Sequence, residues 1–200
     1  VPGHHNLLNA AGVLATGLKL GFGAAELLTG LGTFRGTGRR FELVGTVHGV
    51  RVIDDYGHHP TEIQVTLEAA RRYAADGRLI VIFQPHRYSR TQLLADQFAA
   101  SFADADELLL LDIYPASEPA IPGVTSAAMA QAVRELAPGL PVLVADSLEE
   151  LASQVALASR EGDLVLAMGA GDVNGLWDRL GQWQQAPDQG KSARARPLAA

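Results

Sequence analysis

Cysteine is missing from all 200 residues, which excludes disulfides, thiol nucleophiles and cysteine-ligated zinc. Basic residues are in deficit: 16 Lys and Arg stand against 22 Asp and Glu, whereas a general nucleic-acid binder presents a basic footprint. Long apolar runs are also missing. None reaches bilayer-spanning length, and no charged leader precedes a hydrophobic core, so the sequence predicts neither a signal peptide nor membrane insertion. A cytoplasmic location is the default expectation. A phosphate-binding P-loop is absent as well. Gly190-Lys191-Ser192 imitates the end of one, but Gln185 stands where the earlier glycine belongs. No acid recurs at ligand spacing around His4-His5, and adjacent histidines such as His58-His59 point in different directions, so no dedicated metal site is expected. Caps or satisfied polar groups are the alternative reading of these histidines. Nothing in the sequence speaks to oligomeric state.

What is present is an alternation. Hydrophobic residues make up 48% of the chain, enough for a substantial core. From Phe41 onward, short runs rich in Val, Ile and Leu alternate with helical patterns. The runs predict strands at Phe41–Thr46, Val50–Asp54, Leu79–Phe83, Leu108–Asp112, Pro141–Val144 and Leu164–Met168. Ile63, Leu67, Ala70 and Ala74 fall at helical spacing between the second and third runs, and Leu94, Phe98 and Phe102 between the third and fourth. Continuous apolar strands separated by helices imply an α/β fold, a mostly parallel Rossmann-like sheet covered on both faces. The first two strands, split by His48-Gly49, read as a hairpin at one edge. Asn6–Leu31 reads as two helices without a strand, assigned to another domain, with Gly32–Gly38 as the hinge. From about Gln184 the chain reads as a disordered tail.

Ligands of open α/β sheets bind beyond the carboxyl ends of the strands, and the segments that follow these strands are polar. They are Asp55-Tyr56-Gly57-His58-His59, Gln84-Pro85-His86-Arg87-Tyr88, Ile113-Tyr114 and Gly169-Ala170-Gly171-Asp172. Loops are polar by default, and that alone would produce such a set. The second segment says more. Ser89 and Gln92 stand at capping-box spacing, which predicts a helix starting at Ser89. His86, Arg87 and Arg90 then crowd a helix N-terminus that already carries positive partial charge. Either an anionic ligand resolves the conflict, or the arginines turn away to surface acids. Gly169-Ala170-Gly171 with Gly175 departs by one residue from a dinucleotide fingerprint and reads as a tight strand-to-helix turn.

Five segments together resemble the Mur ligase family of peptidoglycan synthesis. They are Gly3-His4-His5-Asn6-Leu7-Leu8-Asn9-Ala10, Arg39-Arg40-Phe41-Glu42, Asp54 through Ile63, Phe83 through Thr91, and Met168-Gly169-Ala170-Gly171-Asp172. The Phe-Gln-Pro-His-Arg-Tyr-Ser-Arg-Thr run points to the alanine-adding branch. The resemblance covers about Val1 to Leu180. It implies a C-terminal piece of a three-domain enzyme: 1–36 as the end of the central ATP-binding domain, 37–183 as the Rossmann-like C-terminal domain, 184–200 as a tail. It further implies ATP-dependent ligation of L-alanine to UDP-N-acetylmuramate through an acyl phosphate, with ATP and Mg2+ bound mainly by parts outside these residues. By the same resemblance Asn6 and Asn9 face the adenine, Arg40 the ATP phosphates and Asp55 the ribose hydroxyls. His86, Arg87 and Arg90 meet the amino-acid carboxylate and the negative intermediate, with Tyr56 and His58 near L-alanine. His58 joins His86, Arg87 and Arg90 as a candidate catalytic residue.

Two positions depart from the family pattern. Gly57 replaces the usual Ala, an expected softening of the loop. Ser117 replaces the usual Gly, a strain if that position needs positive φ. A murein-peptide-recycling ligase, which shares the histidine-pair loop, and a non-catalytic binding domain are the alternatives. The Gln84–Thr91 run speaks against the first.

Overall fold

The computed structural model describes residues 3–181. The expected tail from Gln184 therefore lies outside the described residues. Two helices come first, α1 (His4–Lys19) and α2 (Ala24–Thr33). Gly30 and Gly32 lie inside α2, so the connection to the sheet starts only at Phe34, later than the glycine run suggests. Gly17, buried on α1, faces the side chain of Leu27 on α2. Leu7, Leu8, Leu20, Phe22, Leu28 and Phe34 stay exposed around this pair.

The rest is one six-stranded sheet. In chain order it comprises β1 (Glu42–Val47), β2 (Val50–Asp55), α3 (Pro60–Ala74), β3 (Leu79–Phe83), α4 (Tyr88–Leu93), α5 (Ala95–Ala99), β4 (Glu107–Leu111), α6 (Ser126–Leu136), β5 (Val142–Ala145), α7 (Leu148–Ala158), β6 (Leu164–Met168) and α8 (Leu176–Gly181). The spatial order is β1-β2-β6-β3-β4-β5. Only β1 runs antiparallel, joined to β2 through His48 and Gly49, both at positive φ. That backbone suits a two-residue hairpin turn.

Period-two alternation sends successive residues of each strand to opposite faces, and the core divides accordingly. Val81, Phe83, Leu108, Leu110, Leu164 and Leu166 pack against α3, α5 and α6 through Ile63, Leu67, Phe98 and Val133. Ile80, Ile82, Leu109, Val165 and Ala167 pack against α7 and α8 through Leu151, Val155 and Leu176. Every residue of β3 and β6 is fully buried, as expected of strands covered on both faces. β6, last in the sequence, lies between β2 and β3. In register, Asp55, Met168 and Phe83 stand in one row, which brings the loops after β2, β6 and β3 together.

Candidate functional site

The loop after β2 is fixed by carboxylates. Asp55 is buried, and its two oxygens accept N–H bonds from Gly57 (2.7 Å) and Phe41 (2.8 Å). Burial pushes its pKa up; those two bonds and Arg40 oppose the shift. A ribose hydroxyl would thus meet an Asp55 whose oxygens already serve this chain's backbone. Glu62, in the first turn of α3, accepts the backbone N–H groups of His58 (2.9 Å) and His59 (3.1 Å). Burial alone would raise its pKa, but the His58 N–H, the His58 ring, the His59 N–H and Arg40 together hold it below the usual value. His59 is the N-cap, with Nδ1 accepting from Thr61 N–H, and Pro60 takes the first helical position. At Gly57 the loop is closely packed. A Cβ there would stand 2.8 Å from Asp55 Oδ1 and from the Met168 methyl, so glycine lets the loop close onto the strand ends.

The loop after β3 corrects the helix start expected at Ser89. The N-cap is Arg87, at φ 75°, and α4 starts at Tyr88. The Ser89–Gln92 box does not form, because a carboxylate from elsewhere takes its place. Glu118, beyond β4, accepts the Ser89 N–H (2.9 Å) and the Ser89 hydroxyl (2.7 Å), and pairs with Arg87 Nε at 2.8 Å. The surface-acid alternative holds for Arg87 but not for Arg90, which forms no ion pair among the described residues and instead directs a guanidinium nitrogen at His86 Nδ1, 3.4 Å away.

The two loops meet through rings. Tyr56 lies edge-on to His58 (5.3 Å between centroids), His58 stands 5.8 Å from His86, and His86 stacks on Tyr114 at 5.6 Å. Hydrogen bonds set the tautomers. The Tyr56 carbonyl can only accept, so His58 Nδ1, 2.9 Å away, carries hydrogen; Nε2 of a neutral His58 is then an acceptor. A guanidinium can only donate, so His86 Nδ1 is bare and its Nε2 carries the hydrogen. Burial first, then Arg90, His58 and Arg87, push the His86 pKa below 6.5. In its neutral form His58 thus presents an acceptor nitrogen close to the Nε2–H of His86 and the Arg90 guanidinium. Such a group can take a proton from an ammonium and bind a developing anion.

Arg39 and Arg40 flank the Tyr56 ring at 5.1 and 5.6 Å and part company otherwise. Arg39 donates to Asp54 (3.2 Å) and to the Gly169 carbonyl (2.7 Å), riveting the entry segment to β2 and β6. Arg40 is half exposed, lies 3.7 Å from Glu62, and lines a groove of about 460 Å³ with Arg35, Thr37, Phe41 and Tyr73. Asn6 and Asn9 sit on α1, a separate element whose first turn forms a smaller groove with α3. Gly171, after β6, is a close-approach glycine: a Cβ would stand 2.7 Å from the Tyr114 ring. A tight turn and the short α8 follow, as the sequence predicts. Gln84 is buried and bridges the same loops, donating to Asp172 (2.7 Å) and accepting from Val173 N–H (3.0 Å).

Sequence reasoning missed Glu118, Glu62 and Arg39 as organisers. Glu62 sits three residues past His59, a readable box spacing. Glu118 lies 29 residues from Ser89, and no local signal joins them.

A family model described as Mur ligase, glutamate ligase domain, matches residues 39–171. This chain belongs to the Mur ligase family. Similar curated Mur ligases include UDP-N-acetylmuramate–L-alanine ligases from Synechococcus sp. (strain CC9605), 48% identical over 187 residues, and from Mycobacterium sp. (strain JLS), 49% identical over 179 residues. The first match covers 89% of this chain and 40% of the relative, the second 88% and 36%; the chain spans well under half of either. Among solved Mur ligase structures, UDP-N-acetylmuramate–alanine ligase from Thermotoga maritima superposes with a TM-score of 0.76 at 32% identity, over 92% of this chain and 39% of that one. A murein peptide ligase from Psychrobacter arcticus superposes at 0.68 and 27% identity, over 90% of this chain and 37% of that one.

Proposed function

We propose that the protein carrying this chain joins L-alanine to UDP-N-acetylmuramate at the expense of ATP, in the cytoplasm, as a step of peptidoglycan precursor synthesis. The observation that carries the reading is the meeting of two loops, Asp55–Glu62 and Gln84–Arg90, in a chain that is nearly half identical to ligases named for that reaction. Activation of the lactyl carboxylate as an acyl phosphate, with ADP leaving, precedes the part these residues play. ATP and Mg2+ supply that activation. Arg40, half exposed on its groove, is the described residue placed to meet phosphate. The magnesium ligands are assigned mainly to the length of the relatives that this chain does not span.

The residues here then handle L-alanine. His58 Nε2 accepts a proton from the alanine ammonium, freeing the lone pair that attacks the acyl carbon. The C–N bond forms, and oxygen takes the negative charge. Arg90 and the Nε2–H of His86 meet that charge until the C–O bond to phosphate breaks, and the second proton of the attacking nitrogen passes to the departing phosphate. Arg87 holds the loop through Glu118 and reaches the amino-acid carboxylate with its remaining N–H groups. Tyr56 walls the alanine side, while Asn6, Asn9 and Asp55 serve the adenine and ribose. Residues 1–36 are read as the end of the ATP-binding domain and 37–183 as the amino-acid-bringing domain.

The murein peptide ligase likeness supports a second reading, and a substrate panel separates the two. ATP-dependent phosphate release by the full-length protein with UDP-N-acetylmuramate should be stimulated by L-alanine and not by a murein tripeptide. The reverse preference would overturn the first reading. The 200-residue chain alone, with no P-loop sequence, should release no more phosphate from ATP than a protein-free control; turnover above that control would refute the assignment of the phosphate cradle elsewhere.

A further inference from the structure

The loops after β3 and β4 are zipped into one body. Tyr114 N–H donates to the Pro85 carbonyl and Arg87 N–H to the Tyr114 carbonyl, both at 2.8 Å, and the His86 ring stacks on Tyr114 within 9° of parallel. The zip ends in Glu118, whose side chain is 18% exposed and engages the backbone and hydroxyl of Ser89 together with Arg87. Three non-glycine residues here hold positive φ: Arg87 at 75°, Ala116 at 46° and Ser117 at 71°. Such conformations cost about 1–3 kcal/mol each and persist where surrounding contacts over-determine them, which is typical of functional sites. Arg87 is held by its N–H on the Tyr114 carbonyl and its side chain on Glu118, while Ala116 and Ser117 are the central residues of a turn closed by the Glu118 N–H on the Pro115 carbonyl at 2.9 Å. Ser117 is the departure the sequence flagged, and it does take positive φ.

We propose that Glu118 is a positioning residue for amide-bond formation: by clamping Arg87 and Ser89 it fixes the start of α4, and with it the placement of His86 and Arg90 against the reacting carbonyl. The inference rests on the ligase reading above. Glu118 does not touch substrate. It is 28 residues beyond Arg90 in sequence and acts through the loop that Arg90 and His86 occupy. The Ser89 hydroxyl and amide, then Arg87, hold its carboxyl below the usual range, so the clamp is charged at neutral pH.

In the full-length ligase, Glu118→Gln keeps the size of the side chain, loses the charge and replaces one acceptor oxygen by a donor. Misplacing reactive groups by about 1 Å costs up to roughly 100-fold, so kcat should fall about 10- to 100-fold. The KM for ATP should stay within about twofold and Tm within about 3 °C, since the Arg87 side of the pair is half exposed and such pairs add little stability. Ser89→Ala, which removes one contact, should lower kcat less, and the double variant should be less than additive. Additive effects or wild-type kcat in Glu118→Gln would overturn the proposal, as would a lowered KM for L-alanine, which would make Glu118 a place-holder for the substrate carboxylate. If Glu118→Gln fails to fold, Ser89→Ala decides by the same kcat criterion at unchanged Tm. A wild-type enzyme that does not ligate L-alanine refutes the ligase reading rather than the clamp. In that case NMR on the 200-residue chain decides: Glu118→Gln must move the Ser89 amide and His86 ring resonances while those of α7 stay in place, and unmoved Ser89 and His86 resonances sink the clamp.

Discussion

Arg87 places its charge against Glu118, while three residues on Arg90 faces the ring of His86. One arginine is tied into the fold through Nε, and the other forms no ion pair among the described residues. In the full-length ligase Arg90→Ala should leave Tm nearly unchanged, because Arg90 forms no ion pair among the described residues and only a long contact, 3.4 Å, to His86. It should cut kcat/KM for L-alanine by on the order of a hundredfold, the equivalent of about 2–4 kcal/mol for one charge-assisted contact to a developing anion. Arg90→Lys should recover only part, lacking the planar fork. Melting curves beside steady-state kinetics check both halves. The same charge acts on His86, whose pKa lies below 6.5 through burial and then Arg90. The unfolded chain therefore binds a proton at His86 before the folded chain does, and stability is lost as pH falls from about 6.5 through the folded-state value. His86→Gln should flatten that part of the pH–stability curve in urea titrations, and Arg90→Ala should move the His86 NMR titration upward. A His86 titration unmoved by Arg90→Ala would refute the contact.

Between elements, the adjacent Arg39 and Arg40 make a sharp comparison. Arg39 crosses from the entry segment to Asp54 and Gly169, and the only other side-chain donor acting on the buried Asp54 carboxyl among the described residues is the indole of Trp177. Removing Arg39 takes away the cation of a buried pair, at a cost of up to about 3–5 kcal/mol. Arg40, half exposed beside Glu62, should cost under about 1 kcal/mol when replaced by Ala. Urea unfolding of the two alanine variants of this chain tests the contrast; equal losses would mean Arg39 is no rivet. Nothing in the dipeptide Arg39-Arg40 distinguishes the two, since their fates depend on where β6 lies. The strands, in contrast, are legible to within one residue, because a strand buried on both faces is a continuous run of branched apolar residues. The helix at Ser89 is misplaced for the opposite reason: its cap comes from Glu118, a tertiary contact that overrides the local box. The histidine loop is legible as a site because its acids and rings are neighbours in sequence. The clamp on the neighbouring Gln84–Arg90 loop is not, because Glu118 reaches Ser89 and Arg87 from beyond β4.

For the molecule as a whole, the sheet carries its own core on both faces, and α1 and α2 contribute little to it. A chain of residues 38–180 should therefore melt cooperatively, with a Tm close to that of the 200-residue chain; a molten or insoluble product would place the boundary elsewhere. Shortening from the other end should behave differently. β1 and β2 touch the remaining strands only through β6, so a chain ending at residue 160 holds two separate pieces of sheet with no shared edge and should show no cooperative transition.

Of the described strands, the one made last is thus the one that belongs in the middle. While residues 50–160 emerge, β2 and β3 cannot settle as neighbours, for the space between them is reserved for a partner not yet synthesised. His58 and His86 cannot be brought across that space until Leu164–Met168 has entered it. Assembly of the pair is a late event in the life of each molecule, and the long-range closure it requires favours slow folding. The two histidine-bearing loops therefore stay unjoined until β6 has been made, and a nonsense codon anywhere before β6 disperses the site rather than trimming it.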